Sequence, residues 1–320
     1  MKFTLKAMMT AAALLSFNTG QAGAQALEWT TGQLGAGWYG VASGLASEIM
    51  NESDLTLKVV PGGGKDNPLK LEAGISQFGF GIDFLAFAAM KGTEPYDHEV
   101  EKVSGVANGI NQNMFHFIRA NGETKSLEEA LKSENLRIGV PKNGDSTELT
   151  FQRVMEFYDT SYEKIREEGG KIVQGDYSDL VSALRDGQVD YLFIALSLPG
   201  AAVIEISQAG RDAQLVDFPE ELEDYLVSTY GYSKGTIPAG TYENVQDGDV
   251  SVPVMNTMLL ASTDVDEDTV YEFTKALLAS QPKFPGIHSS LEGFDPATAW
   301  QMELPLHPGA ARAFEEAGFK

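Results

Sequence analysis

Three short segments hold most of the chemistry this chain could do. Gly35-Ala36-Gly37-Trp38-Tyr39-Gly40 has the spacing G-x-G-x-x-G, after an apolar run and ahead of residues with helical periodicity. Amides at a helix N-terminus bind a phosphate or a smaller anion such as a carboxylate. A dinucleotide site needs an acid at the end of the second strand, where this chain has Pro61 and glycines. Trp38 and Tyr39 are also bulky where a backbone would have to approach a pyrophosphate. The residues favour a small-anion site: Gly35 and Gly37 supply amides, Trp38 an apolar wall and Tyr39 a hydroxyl. The alternative is a bare tight turn.

Pro61-Gly62-Gly63-Gly64-Lys65-Asp66-Asn67 is the second segment. It is not a Walker loop, because Val59 stands at the required first glycine and Asp66 at the Ser or Thr that holds magnesium. Gly62, Gly63 and Gly64, with Asn67 following, let a backbone come close to a ligand, or form a flexible connection. The third segment is Gly144-Asp145-Ser146-Thr147. Its amides and hydroxyls would meet a carboxylate from the opposite side, or simply cap a helix. Asp145 would repel an anion if it pointed inward, so it is expected as the cap, with Glu148 reaching back. Asp83 ends a further apolar run and either accepts from a ligand amine or hydroxyl or caps the helix after it. Ser197 and Pro199 end another run and are rim candidates.

Signals for catalysis are poor. His98, His116, His288 and His307 are scattered and not paired at metal spacing, so surface or capping roles are expected. Neither H-E-x-x-H nor G-x-S-x-G occurs, and the chain has no cysteine. Neither a metal nor a cofactor is expected.

The elements that must position these segments alternate. Residues 27–31, 55–60 and 77–82 read as strands, followed by helices near 38–49, 67–73 and 84–90. Residues 103–107 and 113–119 read as two separate strands without a helix between them. A second α/β run follows: helix 126–133, strand 136–140, a helix from Asp145, strand 171–173, helix 178–186 and strand 189–196. Residues 222–227, a strand over 252–261, a helix capped by Asp266 and a last helix from Pro308 to Gly318 complete the chain. This grammar implies parallel sheets with covered faces. In such sheets ligands bind at the carboxyl ends of the strands, where all these loops lie.

The net charge of −23 argues against nucleic acid as a partner. Lys2 and Lys6 precede the apolar run Ala7 to Phe17, and Ala22, Ala24 and Ala26 follow it. Residues 1–26 thus read as a cleavable signal peptide. With no cysteine for acylation, the mature chain is expected in the periplasm without a lipid anchor.

In this order along the chain, further motifs join those above: Val60-Pro61-Gly62-Gly63, Phe80-Gly81-Ile82-Asp83, Ile138-Gly139-Val140-Pro141, Asp186-Gly187-Gln188-Val189-Asp190, Ile237-Pro238-Ala239-Gly240-Thr241-Tyr242 and Leu306-His307-Pro308-Gly309-Ala310. In them the chain resembles the TAXI-type solute receptors of TRAP transporters over nearly its whole mature length. The resemblance implies an α/β, two-lobed periplasmic-binding-protein fold of type II, its lobes joined by two crossover strands. Lobe 1 would be 27–116 plus 240–320 and lobe 2 would be 117–239, with hinges near 113–119 and 235–252. It implies a non-catalytic, monomeric receptor for a glutamate-like amino acid or small dicarboxylate, delivered to TRAP integral-membrane subunits. The loops at 32–39, 62–67, 83, 144–147 and 197–199 would line the cleft. Two loops depart from the family pattern, at Gly81-Ile82-Asp83 and at Asp145-Ser146, which puts glutamate itself in question. A cofactor-dependent α/β enzyme and a binding module without a transporter are the alternatives.

Overall fold

A computed structural model describes residues 26–34, 37–120, 122–209 and 212–320. The expected signal segment up to Gln25, and Gly35 of the first glycine loop, lie outside the described residues.

The first part of the chain alternates β1 (Leu27–Thr30), α1 (Gly37–Glu52), β2 (Leu57–Val60), α2 (Asn67–Glu72), β3 (Phe78–Ile82) and α3 (Asp83–Lys91). The long strand β4 (Val103–Ala120) follows. The second part runs α4 (Leu127–Leu131), β5 (Arg137–Pro141), α5 (Ser146–Phe157), α6 (Tyr162–Glu167), β6 (Lys171–Gly175), α7 (Tyr177–Arg185), β7 (Tyr191–Leu196) and α8 (Ala201–Gln208). Then come β8 (Ala213–Val216), α9 (Glu220–Tyr230), β9 (Ser233–Ile237) and a second long strand, β10 (Val250–Ser262). The chain ends with α10 (Glu267–Ser280), α11 (Phe284–Ile287) and α12 (Pro308–Glu316).

The helices form where apolar residues recur on one face. In α1 Val41, Ala42, Leu45, Ala46 and Ile49 are buried. All five residues of β3 are buried, as expected for a strand covered on both faces. The strands run in the order β2-β1-β3-β10-β4-β7-β5-β6, with β8 beside β4 and β9 beside β10. β1 is parallel to β2 and β3, and β5 is parallel to β6 and β7. β4 and β10 pair antiparallel down the middle, from Val103 with Ser262 to Met114 with Val254.

The long strand corrects one expectation. Residues 103–107 and 113–119 belong to a single strand of 18 residues, about 60 Å at the usual rise. Asn108-Gly109 does not turn the chain. It makes a bulge, in which Ala107 pairs with Leu259 and Asn111 with Thr257, and Gly109 takes φ 66°. β4 and β10 are thus the two strands that pass between lobes.

Each half has its own core. Trp29, Phe80, Phe273, Ala310 and Phe314 share one buried cluster, so the end of the chain packs back on its beginning. Phe117, Phe151, Phe193 and Leu222 belong to the other. Helices α6 and α8 and strands β8 and β9 were not foreseen; all are short, with little periodicity to read. Among the described residues no helix is long and apolar enough to cross a membrane.

Candidate functional site

The glycine loop after β2 is held from below by one side chain. Asn67 is fully buried at the start of α2. Its Oδ1 accepts from the Thr30 hydroxyl (2.9 Å) and the Gly63 amide (3.0 Å), and its Nδ2 donates to the Thr31 and Phe80 carbonyls (both 2.8 Å). One amide therefore ties the ends of β1 and β3 to the loop. Asn67 positions Gly63 and Gly64 and takes no part in lining a cavity.

On the opposite side α5 starts where β5 ends. Asp145 is its N-cap, accepting the Thr147 amide at 2.8 Å. Glu148 does not close the expected capping box. Its Oε1 accepts from Tyr162 Oη (2.9 Å) and Gln152 Nε2 (2.7 Å) instead. Thr147 Oγ1 lies 3.2 Å from Tyr177 Oη, which donates to the Ala195 carbonyl (3.1 Å).

The long strands and the end of β7 supply the floor. Trp38 Nε1 and Asn113 Nδ2 both donate to Thr257 Oγ1, each at 2.9 Å. Ser197 Oγ donates to Asn113 Oδ1 (3.0 Å) and accepts from Asn111 Nδ2 (3.0 Å). Alternation along β4 places Asn111 and Asn113 on one face.

These pieces enclose one small cavity. Gly32, Gln33, Gly37, Trp38, Gly63, Gly64 and Ile82 line it from the first half. Asp145, Ser146, Thr147, Tyr177, Ala195, Leu196 and Ser197 line it from the second, and Asn113 and Met255 from the long strands. Its volume is about 60 Å³, space for roughly two waters. The halves touch around it. Gln33 Nε2 donates to Asp145 Oδ2 at 3.4 Å, and a Cβ on Gly64 would stand 3.1 Å from Ser146 Oγ.

Asp145 is the one ionisable carboxylate among the described lining residues, and no Lys or Arg joins it. Burial raises its pKa, opposed by the hydrogen bonds from Thr147, while nearby Glu148 and Asp176 add to the rise. Asp145 both caps α5 and faces the cavity. An acid inside the site offers an acceptor to a donor group that enters it.

The predicted residues divide as follows. Gly37, Trp38, Gly63, Gly64, Asp145, Ser146, Thr147 and Ser197 line the cavity. Gly62 and Gly144 stand at an outer opening beside it, with Asp66 and Lys142. Tyr39 faces elsewhere, its hydroxyl donating to the Val59 carbonyl (3.4 Å). Pro199 lies past Ser197 and does not line the cavity. Asp83 is the first residue of α3 and points away: it accepts from Asn256 Nδ2 (2.8 Å) and the Phe84 amide (2.9 Å). Gln33 falls in the loop 32–39 that was expected to line the cleft, whereas Asn113, Tyr177 and Met255 were missed. Only the recurrence of Asn at 111 and 113, on one face of a strand, could have pointed to one of them.

The histidines keep clear of the cavity. His98 sits in an exposed cluster with Asp97 and Glu72, and His288 and His307 cap helices, as expected. His116 is different, being fully buried against Tyr242. Among the described residues no group of three or more His, Cys, Asp or Glu could hold a metal.

Two α/β halves, two long crossing strands and a cavity at the strand ends define the class: a type II periplasmic-binding-protein fold. The chain belongs to the NMT1-like family, whose model matches residues 29–318. Among solved structures it is similar to MatC (Rpa3494) from Rhodopseudomonas palustris with bound malate, at 13% identity and TM-score 0.55, over 92% of this chain and 97% of that one. It is also similar to the structure of a periplasmic transporter, at 14% identity and TM-score 0.51, over 92% of each chain. At such identities the likeness is one of fold.

Proposed function

We propose that this chain is a periplasmic solute receptor. It is exported by residues 1–26, acts without catalysis, closes on a small solute and delivers it to a membrane transporter of the TRAP type. The observation that carries the reading is the meeting of Gly63 and Gly64, Trp38, and Ser146 and Thr147 at one cavity between the halves. The TAXI-like motif order supports the choice of transporter.

The chemistry of the cavity narrows the solute. Amides and hydroxyls at the start of α5 suit a carboxylate. Asp145 suits an ammonium or hydroxyl and repels a second carboxylate. A small amino acid or hydroxy acid meets both demands, whereas a dicarboxylate would face Asp145 with no cation in the lining. A solute as large as glutamate would have to hold the halves further apart than a 60 Å³ cavity allows.

The lobes we propose are 27–116 with 256–320, and 117–255. Tyr242, Val245, Val250 and Val252 pack in the core of the second half, so the return crossing belongs near 255 rather than 240. A solute stabilises the closed arrangement only by its differential affinity for it.

The test is a thermal-shift panel of amino acids, hydroxy acids, dicarboxylates and nucleotides, with mass spectrometry of co-purified ligand. Stabilisation by a small amino or hydroxy acid is expected. A nucleotide that stabilises strongly while every organic acid and amino acid fails would overturn the reading.

A further inference from the structure

A second and larger cavity lies on the far side of the α3 N-terminus. It measures about 700 Å³, within the range of small-molecule sites. One wall is Phe84, Phe87 and Met258 with the segment Met302 to Leu304; the other is Arg153 and the end of α9 at Thr229 to Gly231.

Arg153 is the unusual group. It is 3% exposed, on the inner face of α5. Its Nη1 donates to Tyr232 Oη at 2.9 Å, and its Nε is buried without an acceptor. The guanidinium lies 3.9 Å from the centroid of the Tyr230 ring and 5.3 Å from that of Phe84. The chain has 46 acidic side chains against 23 Lys and Arg, so the lack of a carboxylate partner is not a shortage of acids. Arg137 shows the usual solution, a two-pronged pairing with Asp190.

A guanidinium cannot shed its proton. Burying it without a counter-charge is costly, and ring contacts offset only part of that cost. An acceptor from outside would remove that deficit. Tyr232 occupies Nη1 and Nε is buried, which leaves Nη2 to donate to a carboxylate that enters the cavity Arg153 lines. We propose that this cavity is a second ligand site, separate from the small cavity at Gly63 and Thr147, for an organic monocarboxylate with an apolar body, its carboxylate on Arg153. Phe87, Met258, Met302 and Leu304 receive the apolar part. Glu94 and Glu303 at the exposed rim, and Asp83 within, disfavour dianions and phosphates.

The test uses octanoate as probe and 1-octanol as its uncharged counterpart, by calorimetry on the full chain. Octanoate is expected to bind at least about tenfold more tightly than octanol. Arg153→Gln should weaken octanoate at least about tenfold. Thr229→Trp, an exposed lining position filled from α9 with Arg153 intact, should do the same; Lys132→Gln, an exposed position outside the lining, should change nothing. Circular dichroism checks folding, and if Arg153→Gln fails to fold, Thr229→Trp decides. The proposal is overturned if octanoate does not bind, if octanol binds as well, or if Thr229→Trp or folded Arg153→Gln binds octanoate like the parent.

Discussion

Gln33 and Asp145, 112 residues apart in the chain, meet side chain to side chain at 3.4 Å across the gap between the two halves. One stands past the end of β1 and the other caps α5, so the contact exists only while the halves are together. It also holds an acid against the cavity between them.

Asp145→Asn should keep the cap, since Asn serves there as well as Asp, and change stability by less than about 1 kcal/mol. It should weaken an amino-acid solute by about tenfold or more, by removing the charge that faces its ammonium. With the parent chain, affinity should fall on acidification earlier than for an ordinary carboxylate, because burial raises the Asp145 pKa. Calorimetry over a pH series checks both; equal affinity in variant and parent would show that Asp145 does not meet the solute.

Gly64 limits how closely the halves approach. A Cβ there would lie 3.0 Å from Ile82 Cγ1 and 3.1 Å from Ser146 Oγ. Gly64→Ala should therefore leave the fold intact but loosen closure, costing about tenfold in affinity. Small-angle scattering with and without solute should show a smaller contraction in the variant than in the parent.

Asn67→Ala removes four hydrogen bonds at once, three of them buried. It should cost about 2–4 kcal/mol of stability, read from urea unfolding, because the partner groups are left buried and unpaired. Asn67→Asp should be no better, since it keeps the acceptor but turns a carboxylate oxygen toward the Thr31 and Phe80 carbonyls.

His116 makes stability depend on pH. Burial lowers its pKa to about 4, partly opposed by its hydrogen bond to the Met114 carbonyl. Unfolded, the ring titrates near 6.5, so the unfolded chain takes the proton first. The stability linked to this ring is complete above about 6.5 and is lost as pH falls toward 4, by up to about 3 kcal/mol. His116→Gln should flatten the fall measured by denaturant titration between those two pH values; an unchanged slope would place the dependence on other groups.

Local chemistry was readable wherever it is local in the chain. The glycines after β1 and β2, the cap at Asp145 and the apolar period of α1 depend on neighbours a few residues away, and the structure keeps them. The loops at the carboxyl ends of the strands could be named for the same reason. Asp83 shows the limit, because its choice between facing a solute and staying near its own helix depends on Asn256, 173 residues later.

The sequence by itself thus determined the alternating α/β grammar, the glycine loops and the helix cap, since backbone preference and apolar period act over a few residues. Only the tertiary structure decided that 103–119 is one strand rather than two, that Asp145 faces a cavity as well as capping a helix, and that Asn113 lies under it. Those outcomes depend on strand partners and on groups brought together across more than a hundred residues, and such contacts leave no periodic trace in the chain.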